Sequence, residues 1–171
     1  LEINTAGLTT FGGPIGLSSP LTMITTDQPG SVRLNGGTVV TVGSQQYQEL
    51  LGTTLGASTI LRATDVSPAI LFGGPVNGLT AGQQALTIYT QGLTRFAGAV
   101  GQTTALKSVY TDGAPSPTNK VEVQGGSVTT TGSQFYGENV VIKAANSGDN
   151  TRFIAGGPIS FSGPVDLDAP N

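Results

Sequence analysis

The sequence contains no cysteine, no histidine and no tryptophan among its 171 residues. Without cysteine it can form neither disulfides nor thiolate metal sites. Without histidine as well, the usual Ser-His-Asp and Cys-His catalytic arrangements and imidazole metal sites are excluded. We therefore predict that the protein is not an enzyme and that it holds no metal and no cofactor.

Charged residues are also scarce. They make up 10% of the chain, and the net charge is −3, whereas about a quarter of residues are charged in ordinary globular domains. The basic residues are scattered singly along the chain. The sequence therefore has neither the basic stripe of a nucleic-acid-binding protein nor a polybasic membrane-binding patch. No apolar run approaches the length of a transmembrane helix. We expect no nucleic-acid partner and no membrane insertion.

The sequence is rich in glycine, threonine, valine and serine. Glycine accounts for 26 of the 171 residues, roughly twice its ordinary share. This composition argues against helices and against a disordered tail, and it indicates many short strands joined by tight turns. The chain opens on Leu1 within a repeat-like phrase. We interpret it as a mature or excised part of a longer protein, whose targeting segment would lie outside it.

A long phrase occurs twice. The block from Gly36 to Leu51 returns from Gly125 to Val140 at a constant offset of 89 residues. Earlier phrases repeat at an offset of 85, so four extra residues fall within 113–119, a segment whose composition predicts a surface loop. The duplication predicts two large repeats, at 1–84 and 85–171, within one continuous rod.

A shorter period runs inside each repeat. Eight strand-turn segments of about 21 residues each fit the coils of a parallel β-solenoid with glycine at its corners. We therefore predict an all-β solenoid of about eight coils. Its inward residues would include Phe72, Phe96 and Ile60, together with Leu8 and Phe11, which a bulge would aim inward. The alternative is a pair of Ig-like β-sandwiches, one for each large repeat.

These phrases resemble a known family. Gly-Gly-Ser-Val-Thr-Thr-Thr-Gly-Ser-Gln-Phe-Tyr-Gly-Glu-Asn-Val, with Leu-Thr-Arg-Phe-Ala-Gly-Ala-Val-Gly before it and Ile-Ser-Phe-Ser-Gly-Pro-Val after it, resembles repeats of giant secreted bacterial proteins of the filamentous-haemagglutinin-like type. The resemblance covers nearly the whole chain. It implies a right-handed parallel β-helix that forms a shaft outside the cell, and it supplies no catalytic residues.

Several acidic residues are candidates for a ligand site. Asp27 and Asp112 occupy equivalent repeat positions, as do Glu49 and Glu138, and either pair could hold a cation or a sugar. We favour a framework role, in which acids at turns and strand edges keep the surface soluble and cap backbone N–H groups.

A further acidic pair, Asp166 and Asp168, has the spacing of carboxylates that hold Ca²⁺ or act as acid and base. The nonapeptide pattern of a Ca²⁺-binding β-roll is absent. We interpret this pair as part of a solvated tail.

Four tyrosines are candidates for glycan contact, namely Tyr47, Tyr89, Tyr110 and Tyr136. Their rings could stack on sugars, or they could be ladder residues with hydroxyls in water. Threonine runs such as Thr129–Thr131 could form an ice-binding array, but they are better explained by the β-propensity of threonine.

These observations predict the shaft of an extracellular bacterial adhesin or surface filament. Its partners would be further repeats of the same chain, or copies of itself stacked end to end, and a surface polysaccharide is a further candidate. The alternative is a carbohydrate-binding module of a secreted protein that uses the tyrosines and the 113–119 loop. A polysaccharide-degrading enzyme is a third and weaker hypothesis, because the acids are dispersed.

Overall fold

The computed structural model describes residues 1–112, 119–143 and 150–168, and this part of the chain contains strands and turns but no helix. The strands form three parallel sheets, which the chain visits in a fixed cyclic order of A, B and C. Each visit to the same sheet adds a strand beside the previous one. The result is a β-solenoid of about seven turns, which confirms the predicted fold class.

Sheet A runs the length of the rod. Its eight strands are β1 (Glu2–Ile3), β3 (Ile24–Thr26), β6 (Gln45–Tyr47), β9 (Ile70–Phe72), β12 (Leu93–Phe96), β14 (Lys120–Val123), β17 (Asn139–Ile142) and β20 (Val165–Leu167). Strands lie about 4.8 Å apart in a sheet, so seven intervals give a length of about 34 Å.

Sheet B consists of two stacks joined by single bridges from Val100 to Val76 and to Val128. Its strands are β2 (Leu8–Phe11), β4 (Ser31–Leu34), β7 (Thr53–Leu55), β10 (Val76–Gly78), β15 (Ser127–Thr130) and β18 (Arg152–Ala155). Sheet C is continuous. Its strands are β5 (Thr38–Thr41), β8 (Thr59–Ala63), β11 (Leu86–Tyr89), β13 (Val109–Asp112), β16 (Gln134–Tyr136) and β19 (Ile159–Phe161).

All strand pairs among the described residues are parallel, and the partners lie one turn apart. Ig-like sandwiches are built from antiparallel strands, so that alternative is wrong. Strands also pair across the predicted repeat boundary, since β8 pairs with β11 and β9 with β12.

The turns differ in length more than the predicted period of about 21 suggests. Among the paired strands, the spacing between partners ranges from 19 residues, between Lys120 and Asn139, to 27, between Thr59 and Leu86. Extra residues are placed at the corners, where they do not disturb the ladder of hydrogen bonds between strands. The strands therefore stay in register while the loops vary.

Apolar side chains alternate along each strand and stack from one turn to the next inside the rod. On sheet A, the rings of Tyr47, Phe72 and Phe96 stack in sequence, with centroids 5.3 and 5.5 Å apart. Such offset stacking adds to the stabilisation that burial of the rings supplies. Phe72 and Phe96 are thus inward residues, as predicted.

Two of the core positions predicted above are wrong. Ile60 lies on the outside of sheet C and is 41% exposed, because the strand places Leu61 inward instead. Leu8 is 52% exposed, because β2 is a regular strand that alternates and points only Thr9 and Phe11 toward the interior. The predicted bulge, which would turn both Leu8 and Phe11 inward, does not form.

Candidate functional site

A buried polar network lies inside the first copy of the duplicated block. The side-chain amide of Gln45 donates to Thr41 Oγ1 at 3.3 Å and to the backbone oxygen of Arg62 at 3.0 Å. The Tyr47 hydroxyl donates to Gln45 Oε1 at 3.1 Å. Beside them, Thr26 Oγ1 donates to Glu49 Oε2 at 2.7 Å. The groups therefore satisfy one another where water is excluded.

The second copy of the block repeats this network. Gln134 donates to Thr130 Oγ1 at 3.2 Å, and the Tyr136 hydroxyl donates to Gln134 Oε1 at 3.1 Å. Thr111 Oγ1 donates to Glu138 Oε2 at 2.9 Å. Each of the five positions matches its counterpart in the first copy in residue type, in burial and in hydrogen-bond partner.

The two networks lie on different sides of the rod. Tyr47 belongs to sheet A and Tyr136 to sheet C, because the 89 residues between them make three full turns and two further sides. The duplicated sequence can thus form the same hydrogen-bond network on sheet A and on sheet C. The network depends on its own turn and the adjacent ones, and not on a particular side of the rod.

Glu49 and Glu138 are core residues, 2% and 1% exposed. This corrects the prediction that they are surface acids at turns. Burial raises the pKa of Glu49, a hydrogen bond from Thr26 counteracts part of that rise, and the nearby Asp27 carboxylate adds to it. The threonine hydroxyls occupy one carboxylate oxygen of each glutamate, so the pair is better explained as framework than as ligands.

Tyr47 and Tyr136 are 1% and 0% exposed, which corrects their assignment as glycan contacts. Their hydroxyls lie inside the rod on glutamine oxygens and not in water. Burial, with a smaller contribution from the neighbouring glutamate in each case, strongly raises the pKa of both phenols. Both therefore remain protonated hydrogen-bond donors.

Tyr89 and Tyr110, the other two predicted glycan contacts, lie half-exposed on the outside of sheet C. Their ring centroids are 6.2 Å apart, and the ring of Phe135 stacks on Tyr110 at 4.9 Å. Partial desolvation, followed by the nearby Asp112 carboxylate, raises the pKa of Tyr110. An outer aromatic row thus crosses three consecutive turns.

A groove lies beside this row, where the strands of sheet C end and the chain turns toward sheet A. It has a volume of about 370 Å³, and its lining includes Arg62, Thr64, Tyr89, Gln91 and Asp112. Arg62, Tyr89 and Asp112 are direct register partners on three successive strands. The Arg62 guanidinium lies over the Tyr89 ring, 5.2 Å from its centroid, at a distance typical of a cation–π contact.

Arg62 and Gln91 carry no sequence signal that marks them as members of this groove. Arg62 stands 27 residues before Tyr89, and only the strand register brings the two together. Unequal turn lengths hide that register. Asp112, which the sequence presents only as the repeat equivalent of Asp27, lies at the other edge of the groove.

A charge cluster lies on the outside of sheet A. The Glu122 side chain is 3% exposed and accepts from Arg95 Nε and Lys120 Nζ, each at 2.8 Å. Burial alone would raise the pKa of Glu122, but the hydrogen bonds from Lys120 and Arg95 outweigh burial and hold it below its usual value. The carboxylate and both cations are paired within the cluster, so it stabilises neighbouring turns.

The remaining acidic candidates have framework contacts. Asp27 accepts from the backbone N–H of Thr5 at 3.2 Å, so it caps the preceding turn as expected. Asp168 pairs with Lys143. No group of acidic residues within 1–112, 119–143 and 150–168 has the arrangement of a metal site.

Two further predictions have different outcomes. Of the predicted 113–119 loop, all but the last residue lies outside the described part of the chain. Thr130, the middle residue of the Thr129–Thr131 run, points inward and is buried, so that run does not form a flat outer array.

Among the described residues, no helix has the length and apolar character needed to span a membrane.

Comparisons of this chain with known proteins found no relative. No protein-family model matches the chain, no similar protein was found among curated proteins, and no similar fold was found among solved structures. The resemblance to filamentous-haemagglutinin-like repeats therefore stays a prediction.

Proposed function

We propose that this chain is a structural segment of a rigid shaft, belonging to an extracellular bacterial adhesin or a surface filament. The observation that carries the proposal is the uninterrupted stack of eight parallel sheet A strands. Each turn hydrogen-bonds to the turns on either side, so bending the rod would break backbone hydrogen bonds and separate stacked side chains. The extracellular location rests on the sequence resemblance alone.

The last described turn supports growth of the stack. Four apolar side chains of this turn stand in register with inward-facing residues of the preceding turn, yet they are exposed. Their exposed fractions are 36% for Ile159, 37% for Phe161, 48% for Val165 and 64% for Leu167. Beyond them, β19 and β20 have no further strand among the described residues. Open strand edges and uncovered apolar side chains are the features on which another strand adds. The added turn belongs either to more of the same polypeptide or to another copy.

The proposal is tested by the mass of the native protein from its source, measured under denaturing and under native conditions. A denatured mass far above 17.2 kDa is expected for a covalent array of repeats. A denatured mass near that value, with a much larger native mass, is expected for a self-assembled filament. A native particle that is itself near that mass would contradict both forms of the shaft.

A further inference from the structure

We propose that the groove of Arg62, Tyr89 and Asp112 binds a neutral pyranose sugar, a role that does not depend on the shaft function. Its volume of about 370 Å³ falls within the range of small-molecule sites. The three side chains occupy consecutive rungs of sheet C. They therefore span about 10 Å along the rod.

The charged and aromatic side chains at the groove contact one another. The Arg62 guanidinium over Tyr89 holds both side chains, and Tyr110 packs against Tyr89 at an angle of 59°. These contacts lie on hydrogen-bonded strands and not on a free loop. A ligand that binds here loses little affinity to the ordering of side chains.

The groove offers both kinds of hydrogen-bonding group. No carboxylate among the described residues forms an ion pair with Arg62, so its N–H donors are available to a ligand oxygen. Asp112 supplies acceptors at the opposite edge, and the exposed amide of Gln91 supplies one donor group and one acceptor. A sugar hydroxyl both donates and accepts a hydrogen bond. Several hydroxyls of one sugar can therefore supply partners to Arg62, Asp112 and Gln91 together.

The charges favour a neutral ligand. Arg62 and Asp112 cancel, and no further charged residue is among the described residues that line the groove. For an anionic sugar or a phosphate, repulsion by Asp112 offsets attraction by Arg62, and for a cation the reverse holds, so the groove favours neither sign of charge. An apolar ligand would bury these polar groups without partners, which is costly. Tyr89 adds the apolar surface against which the C–H groups of a pyranose ring can pack.

The test is saturation-transfer NMR with neutral oligosaccharides of glucose, galactose, mannose and N-acetylglucosamine, one at a time. We expect the chain to bind at least one of them. Tyr89→Ala and Arg62→Gln should each weaken that binding by about tenfold or more. Arg152→Gln, which removes an exposed arginine from sheet B, is the matched control and should bind as the unaltered chain does. Melting curves confirm that each variant is folded.

Asp112→Asn tests the charge assignment without altering the shape of the groove. For a neutral sugar it should weaken binding, because a carboxylate accepts hydrogen bonds more strongly than an amide. Three results would overturn the proposal. The first is failure to bind any of these neutral sugars. The second is binding that Tyr89→Ala and Arg62→Gln leave unchanged. The third is binding that Asp112→Asn strengthens.

Discussion

Tyr47 and Tyr136 make the same hydrogen bond, 3.1 Å to the glutamine two residues earlier, from two different sides of the rod. The duplicated block thus carries its buried contacts with it when it moves from sheet A to sheet C. Both of these sides present the same kind of environment to the block. A longer array of such repeats would therefore place equivalent residues on different sides of the shaft.

Removal of either tyrosine hydroxyl should destabilise the rod by a similar amount. Tyr47→Phe leaves Gln45 Oε1 without its donor inside the rod, and Tyr136→Phe does the same to Gln134. An unsatisfied buried acceptor costs about 1–3 kcal/mol. Urea unfolding should show this loss in both variants. Tyr89→Phe, on the half-exposed outer face, is the control and should change stability little, and unequal losses in the two buried variants would contradict the equivalence.

Glu49 should make the fold less stable as pH rises. Its folded pKa lies above the usual value of 4.5, first because of burial. Below that usual value the carboxyl is protonated in both the folded and the unfolded states, and its contribution to stability is fully present. As pH rises through the folded pKa, ionisation becomes cheaper in the unfolded state and that contribution is lost. Glu49→Gln should therefore gain melting temperature relative to the unaltered chain as pH rises.

Melting curves below pH 4.5 and well above it measure this difference. The introduced amide oxygen can still accept from the Thr26 hydroxyl, so the substitution keeps the hydrogen bond that the carboxylate makes. If the two melting temperatures differ by the same amount at every pH, Glu49 does not carry a raised pKa.

Glu122 should show the opposite pH dependence. Although burial opposes ionisation, Lys120 and Arg95 hold its folded pKa below 4.5. Its contribution is present above the unfolded value and is lost as pH falls through the folded pKa. Glu122→Gln should lower stability at neutral pH by about 1.5–3 kcal/mol, the typical worth of hydrogen bonds to a charged group. The loss should shrink in acid.

The control for this prediction is Asp166→Asn, on the exposed last strand of the same sheet. It should have little effect on stability at either pH. A Glu122→Gln loss that persists unchanged in acid would indicate a packing effect and not an ion pair.

Gly125 should not tolerate a side chain. Each copy of the repeat stacks one glycine on a glycine of the preceding turn, Gly36 on Gly13 and Gly125 on Gly98, so that an added Cβ would overlap the backbone of the neighbouring glycine. Gly125→Ala should cost about 1–3 kcal/mol or more, because the backbone cannot move aside without breaking the ladder. Gly12→Ala, where a Cβ meets nothing within 4 Å, is the matched control. Thermal unfolding distinguishes them, and equal stability of the two variants would refute the close stacking.

A charge on the open end should block addition of another turn. Leu167 stands in register with Ile142 and is 64% exposed. Leu167→Asp should leave the melting temperature almost unchanged, since little apolar area is buried there. In a filament of stacked copies, it should abolish concentration-dependent self-association in sedimentation velocity. Val66→Asp, at an 82% exposed position away from the end, should leave self-association intact. Association that survives Leu167→Asp would exclude stacking on this end.

Much of the fold could be predicted from the sequence, because the duplication and the short period are both visible as repeated glycine and β-branched phrases. The spacing of Gln45, Tyr47 and Glu49, each two residues from the next, even places them on one face of an extended strand. Their burial could not be predicted, because polar residues are expected on the surface. Only the matching partners in the structure show that they satisfy one another.

The groove could not be predicted in the same way. Arg62, Tyr89 and Asp112 are separated by 27 and 23 residues, and they meet only through the register of three strands. That register depends on corner lengths that vary from turn to turn. Local alternation likewise could not decide between Ile60 and Leu61 as the inward residue, because both are apolar.

The most direct measurement of the shaft proposal is electron cryo-microscopy of the native protein from its source. A shaft of stacked turns predicts unbranched rods much longer than the roughly 34 Å of these seven intervals, with an axial repeat of about 4.8 Å. Compact particles no longer than this segment, without that axial repeat, would contradict it.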